Sequence, residues 1–480
     1  MELDPLILSR IQFAFVVSFH AIFPVFTIGL ASYIAVLEGL AFKTENPVWV
    51  KLSAFWTKVF AVVFGMGVVS GIVMSFQFGT NWSNFAQASA NFLGPILSYE
   101  VVTAFFLEAA FLGVLLFGRD KVPAGVHLFA AIMVATGTFI SSFWILSANS
   151  WMQTPAGTEL RDGVFYVTSW SEAIFNPSFP YRFAHMALAS FLTGGFVVAG
   201  VSAWYLLRGR EVEANKKALS MCLWLLLFIA PAQAVLGDFH GLNTLEHQPT
   251  KVAAMEGNWE TSRNVPLLLF AIPDQENQRN LHEIGIPSLA SFILTHEWDG
   301  EVPGVSAVPV EEQPPVAIVF WSFRIMVGIG LLMIAFAVTG LVLRAGSRYW
   351  RTNWFLQGMR FMSIAPFFAV LTGWFVTEVG RAPWLVYGQM TQAEALTPSL
   401  TGGMALFTLI GYIVVYALVF SAGVYYLMRV LYVGLEDRDE DEHEADRPKR
   451  PFSAAHVPFE IDHNSDDTVG TAKPDNQGGH

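Results

Sequence analysis

Three histidines, His20, His127 and His185, and three glutamates, Glu100, Glu108 and Glu378, lie inside or at the edges of long apolar stretches. An ionisable side chain in hydrocarbon is costly, so such groups usually mark a site. Only these three of the eleven histidines are so placed, and they sit among many aromatics, which points to metal or heme chemistry. Glu108 follows Glu100 by eight residues, about 12 Å along a helix, with the two side chains about 80° apart. A second carboxylate deeper on a broadly shared face reads as a relay for protons.

Each candidate has a plainer reading. His127 neighbours the basic Arg119–Lys121 loop and reads as structural or relay rather than as a ligand. Met326 is one of 15 methionines, and methionine commonly fills gaps in packed interiors. Glu378 has Arg381 one turn away as a counter-charge to itself or to a cofactor carboxylate. The glycines around it are also compatible with simple helix packing. The single cysteine, Cys222, reads as a small buried apolar residue.

The elements that must position these groups are membrane spans. Of 480 residues 54% are hydrophobic and 14% charged, with 42 Phe and 15 Trp; soluble domains carry about 25% charged residues. Crossing a bilayer takes about 20 apolar residues. Nine such runs are predicted, at 12–40, 54–79, 95–117, 125–150, 183–207, 218–237, 316–343, 361–380 and 404–430. The fold expected is an all-α integral membrane protein. Spans one to six occupy 1–237, a loop 238–315, spans seven to nine 316–430, and a charged tail 431–480.

The acidic start lacks the basic region and cleavage site of a signal peptide, so the first run is expected to remain as a span. Loops after odd-numbered spans carry Lys43 and Lys51; Arg119 and Lys121; Arg208, Arg210, Lys216 and Lys217; and Arg344, Arg348, Arg351 and Arg360. Loops after even-numbered spans carry none in 80–94, Arg161 in 151–180 and Arg381 in 381–400. The positive-inside rule then puts the N-terminus and the 238–315 loop outside, and the C-terminus inside. His20, Glu100, His185, Met326 and Glu378 all fall in the outer half, with Glu108 deeper. Part of the net charge of −12 sits in Glu436–Asp446. That composition predicts a solvated, disordered tail.

Heme iron takes axial His, Met, Cys or Tyr ligands. Three intramembrane histidines are too few for a heme-copper oxidase, and none form the pairs of a bis-histidine cytochrome b. A His–Met heme plus hemes held by His and Glu fits the inventory. A heme-free proton-coupled transporter is the competing class, but no internal repeat is visible. A structural scaffold leaves the buried ionisable groups unexplained.

Several stretches carry a family resemblance: Ser9-Arg-Ile-Gln-Phe-Ala-Phe15 with His20, Ser98-Tyr-Glu-Val101, Phe106-Leu-Glu-Ala109 and Arg182-Phe-Ala-His185. Others are Gly237-Asp-Phe-His-Gly241, Gln248-Pro-Thr-Lys-Val-Ala-Ala-Met-Glu256, Phe320-Trp-Ser-Phe-Arg-Ile-Met326 and Gly373-Trp-Phe-Val-Thr-Glu-Val-Gly-Arg381. From Leu6 to about Arg429 the chain resembles subunit I of the cytochrome bd-type quinol oxidases, cyanide-insensitive members included. Its short 238–315 loop resembles the branch without the long insertion, and that loop is expected to move and to lack regular structure.

The resemblance implies His185 and Met326 as axial ligands of a low-spin heme b. It implies His20 and Glu378 as ligands of two high-spin hemes, one b and one d or a further b. Glu100 stands for the carboxylate beside the oxygen-reducing heme. Glu108 stands for the proton-pathway glutamate, with Ser141 and Asn149 as relay partners. Trp374 stands for the aromatic between hemes, Arg324 for a residue partnering the low-spin heme, and Lys251 with Glu256 for quinol oxidation. Also implied are a second subunit of similar fold, a further small single-span subunit, and a bacterial cytoplasmic membrane location. Quinol would be oxidised outside and oxygen reduced with protons from inside, generating a potential without a pump. Whether the donor is ubiquinol or menaquinol stays open.

Overall fold

A computed structural model describes residues 3–435; the predicted tail beyond Leu435 lies outside the described residues. Among these residues nine helices are long and apolar enough to cross a membrane. They are α1 (Pro5–Thr44), α2 (Pro47–Thr80), α3 (Ala90–Phe117), α4 (Ala124–Gln153), α5 (Phe179–Leu207), α6 (Val212–His247), α8 (Val316–Ala345), the pair α9 (Asn353–Met362) and α10 (Ala365–Val379), and α11 (Gly402–Val433). The short α7 (Pro249–Glu256) lies between α6 and α8.

The first turns follow capping rules. Asp4 accepts from the Leu6 amide at 2.8 Å and Asn46 from Val48 at 3.0 Å, each with proline at the first helical position. Glu45, in the left-handed conformation, reverses the chain between α1 and α2.

Helix α1 is the central element, packed against α2, α4, α5 and α11. In lipid, association depends on close fit rather than on apolar burial. At the α1–α5 crossing a Cβ on Gly29 would stand 2.1 Å from the Ser190 carbonyl oxygen, so only glycine admits that approach.

Two faces emerge from the contacts. On the Asp4 face Asn81 meets Ser9 and Thr397, and Gln153 meets Gln248. On the opposite face Lys51 pairs with Glu211, Arg119 with Glu38, and Arg210 reaches the Tyr432 and Val433 carbonyls. The main apolar core, including Leu30, Ile34, Trp56, Phe60, Phe196, Leu223 and Phe355, fills the half nearer the opposite face. Most ionisable candidates occupy the other half.

Four departures from the sequence-based expectations bear on the site. Helix α6 runs to His247, ten residues past the expected end at 237; its last turns keep polar residues, of which Asn243 is buried and donates to the Pro177 carbonyl at 3.3 Å, while Leu245 packs on the core of the following connection. The 238–315 connection is ordered. It carries α7, a hairpin of β1 (Leu267–Asp274) and β2 (Arg279–Ile286), and a small core of Val252, Trp259, Val265, Ala290 and Val305 docked on Val319 and Val376. The expected 361–380 span is preceded by α9, with Ser363 and Ile364 between α9 and α10. Helix α3 contains a π-helical turn, Val101–Phe105, directly after Glu100.

Candidate functional site

Glu378, one residue from the end of α10, is the node of the site. Its carboxylate accepts from Asn149 Nδ2 at 2.9 Å, Gln153 Nε2 at 3.4 Å and Arg381 Nη2 at 2.5 Å. Asn149 in turn accepts from Arg182 Nη1 at 3.3 Å. Gln153 accepts from Lys251 Nζ at 2.6 Å through its side chain and from Gln248 at 2.7 Å through its carbonyl. Residues from α4, α5, α10 and α7 thus meet in one network, joining the 238–315 connection to Glu378.

Three buried cations, Arg182, Lys251 and Arg381, surround this one carboxylate. The Nε of Arg182 and the Nε and Nη1 of Arg381 have no protein partner among the described residues. Unpaired guanidinium nitrogens in an interior are expensive, so the arrangement calls for anionic oxygens. Burial, then Arg182 and Arg381, hold the Lys251 ammonium well below its ordinary range. Burial likewise lowers Arg381, with Glu378 opposing.

His185, near the start of α5, has its Nδ1 unpartnered, and its ring lies 5.5 Å from that of His240. Gly237 faces the ring, where a Cβ would stand 3.4 Å from Cε1. Gly373 similarly faces Met326, with a Cβ position 3.1 Å from Sδ. Space beside both proposed ligands is therefore kept by residues without side chains. His20 Nδ1 lies 3.0 Å from Ser70 Oγ. Trp374 is one turn from Glu378 on α10 and partly buried.

No three of His, Cys, Asp and Glu converge as a bare metal ion would require, among the described residues. The donor set is instead single side chains, unpartnered guanidiniums and glycine-cleared space. That set fits a macrocycle that brings its own equatorial nitrogens and its own carboxylates.

Glu100 accepts from Ser141 at 2.7 Å, and one turn on Trp144 donates to Thr103 at 2.9 Å, registering α3 on α4. Glu108 is buried against Gly137, where a Cβ would clash with its Cγ. The π-turn inserts one residue into the helix between the two glutamates. That removes about 100° of rotation, so their separation falls from about 80° to about 20°. Ser141 and Asn149 bind Glu100 and Glu378 here, and neither is placed on Glu108.

Lys251 and Glu256 share α7 but are five residues apart, about 140° around the helix. Lys251 faces Gln153, whereas Glu256 pairs with Arg324 at 2.8 Å. Arg324 also donates to the Leu268 carbonyl and lies over the Phe320 ring. His127 has both ring nitrogens engaged, on Glu38 at 3.0 Å and the Leu115 carbonyl at 3.1 Å, which leaves none for a metal. Cys222 is buried and free.

Arg182, His240, Gln153 and Gln248 carry much of this geometry without having been assigned roles from sequence. His240 lies past the expected span end at 237 and read as loop, although no proline interrupts the chain between Pro231 and Pro249. The hub role of Gln153 left no signal, because a lone amide has no distinctive spacing.

Residues 8–435 match the family profile described as cytochrome bd terminal oxidase subunit I. The chain is 35% identical to the cytochrome bd ubiquinol oxidase subunit 1 of Bacillus subtilis, across 94% of this chain and 98% of that protein. It is 32% identical to the cytochrome bd-II ubiquinol oxidase subunit 1 of Escherichia coli, across 90% and 97%. Among solved structures, the bd oxidase from Geobacillus thermodenitrificans superposes with a TM-score of 0.83 at 30% identity, covering 90% of this chain and 99% of that one.

Proposed function

The chain belongs to the cytochrome bd terminal oxidase subunit I family and is a multi-pass membrane subunit of a quinol oxidase, and from that premise we propose how its residues divide the work. His185 and Met326 hold a low-spin heme b. His20 and Glu378 hold two high-spin hemes, one b and one d or a further b. Arg182 and Arg381 receive heme carboxylates. When bound, these groups supply one-electron transfer and oxygen binding. The observation that carries this reading is the excess of buried cations around Glu378, with donors left open.

Lys251 and Glu256 handle the protons of quinol on the outer side. Quinol must lose protons as it loses electrons, and a group that holds its proton weakly suits that exchange. Lys251 is such a group, and Gln153 links it to Glu378. Glu256 is held by Arg324 against α8. Protons used at oxygen enter from the inner side through Glu108 and reach Glu100, the π-turn keeping both carboxylates on one line. Opposite sides for proton release and uptake generate a membrane potential without a pump. The Asp4 face is the outer one, by the distribution of Lys and Arg. A second subunit of similar fold, with a further small single-span subunit, completes the complex in a bacterial cytoplasmic membrane.

Oxygen uptake by the purified complex with a quinol donor tests the reaction. Uptake that ends in water, with no peroxide released, is expected. Failure of any quinol to support uptake in heme-loaded complex would refute it.

A further inference from the structure

A second buried polar system lies away from the Glu378 node, where α1, α2 and α11 meet. Gln12 donates to Asn81 Oδ1 at 3.2 Å and accepts from Thr408 at 2.8 Å. Asn81 donates to Ser9 at 3.0 Å and accepts from Thr80 at 2.8 Å. Thr80 is exposed, whereas Ser9, Gln12 and Asn81 are fully buried. Further from the Asp4 face, His20 meets Ser70 at 3.0 Å.

Between these two groups lie atoms without protein partners among the described residues: both amide atoms of Gln77, which is 1% exposed, and the hydroxyl of Tyr416, also 1% exposed. Helical register aligns them. Ser70, Gln77 and Asn81 follow at seven and four residues on α2, within about 40° of one face. Thr408 and Tyr416 are eight residues apart on α11, about 80° around it. Tyr416 packs on Phe15 and Phe19, at 5.4 and 5.2 Å between ring centroids, and Phe19 directly precedes His20.

Three orphaned polar atoms in one apolar seam cost about 1–3 kcal/mol each if dry. Buried water with two to four polar partners is the ordinary solution for such groups. We propose that a chain of ordered water fills the seam between Ser70 and Gln12, and that water formed in oxygen reduction leaves along it, past Asn81 and Thr80, to the Asp4 face. The direction of flow rests on the oxidase reading above, whereas the hydration of the seam does not.

The test is a high-resolution structure of the heme-loaded complex, with turnover of Gln77→Met and Gln77→Glu. Ordered waters within hydrogen-bond distance of the Gln77 amide and the Tyr416 hydroxyl are expected. Gln77→Met should lower turnover roughly five-fold, the order of one lost hydrogen bond, with an unchanged heme spectrum, and Gln77→Glu should restore it. A dry seam in heme-loaded complex, or Gln77→Met at full turnover, overturns the proposal. Absence of heme would strike the oxidase reading instead.

Discussion

Met326 shows how a residue gains meaning only from its surroundings. A methionine in a span is ordinarily packing material, yet here Gly373 leaves its sulfur without a side chain opposite. Met326→Leu keeps the volume and removes the sulfur. It should convert the low-spin heme to high-spin in the absorption spectrum, and an unchanged low-spin signal would remove Met326 as a ligand. Glu108→Gln keeps shape and removes the exchangeable charge. Turnover should fall at least ten-fold with hemes retained, and full oxygen uptake in that variant would exclude the relay. Lys251 makes a prediction in pH. Its folded value lies well below the ordinary 10.5. Between those values the unfolded chain binds more protons, so stability rises with pH across that window. Lys251→Met should flatten the rise in thermal midpoint measured on the complex, and an unaltered slope would contradict the assignment.

At the scale of elements, the π-turn of α3 and the length of α6 do most to shape the site. Straight α-helical register leaves Glu100 and Glu108 on a broad face, and one inserted residue lines them up. Removing Val102 should restore plain register, rotate Glu108 away and slow turnover ten-fold or more with hemes bound; an equal rate would show that alignment is immaterial. Hydropathy located the nine spans because lipid imposes a near-uniform length and composition on them. It failed where a helix end leaves lipid. Asp238 and His240 read as the start of a loop, although α6 continues to His247. The 238–315 connection read as irregular because its core is small and assembled from residues far apart, such as Val252, Val305 and Val376. The π-turn has no composition of its own and was invisible.

The whole molecule separates two jobs by depth. Apolar side chains pack the half nearer the basic face, while the half nearer Asp4 concentrates carboxylates, guanidiniums and unpartnered donors. His20, His185, Glu100 and Glu378 were legible as a set because lipid makes each of them conspicuous. The network joining Glu378 to Lys251 was not, since it depends on Gln153 and on a loop helix whose placement no local pattern encodes. The transporter alternative falls with the family assignment. The central claim, that this chain carries a low-spin heme b and two high-spin hemes, one b and one d or a further b, is tested most directly by a dithionite-reduced minus air-oxidised absorption spectrum of the purified complex. Low-spin and high-spin b signals are expected, with a red-shifted chlorin band where the third heme is d and none where it is a further b; folded complex with no heme signal would contradict the account.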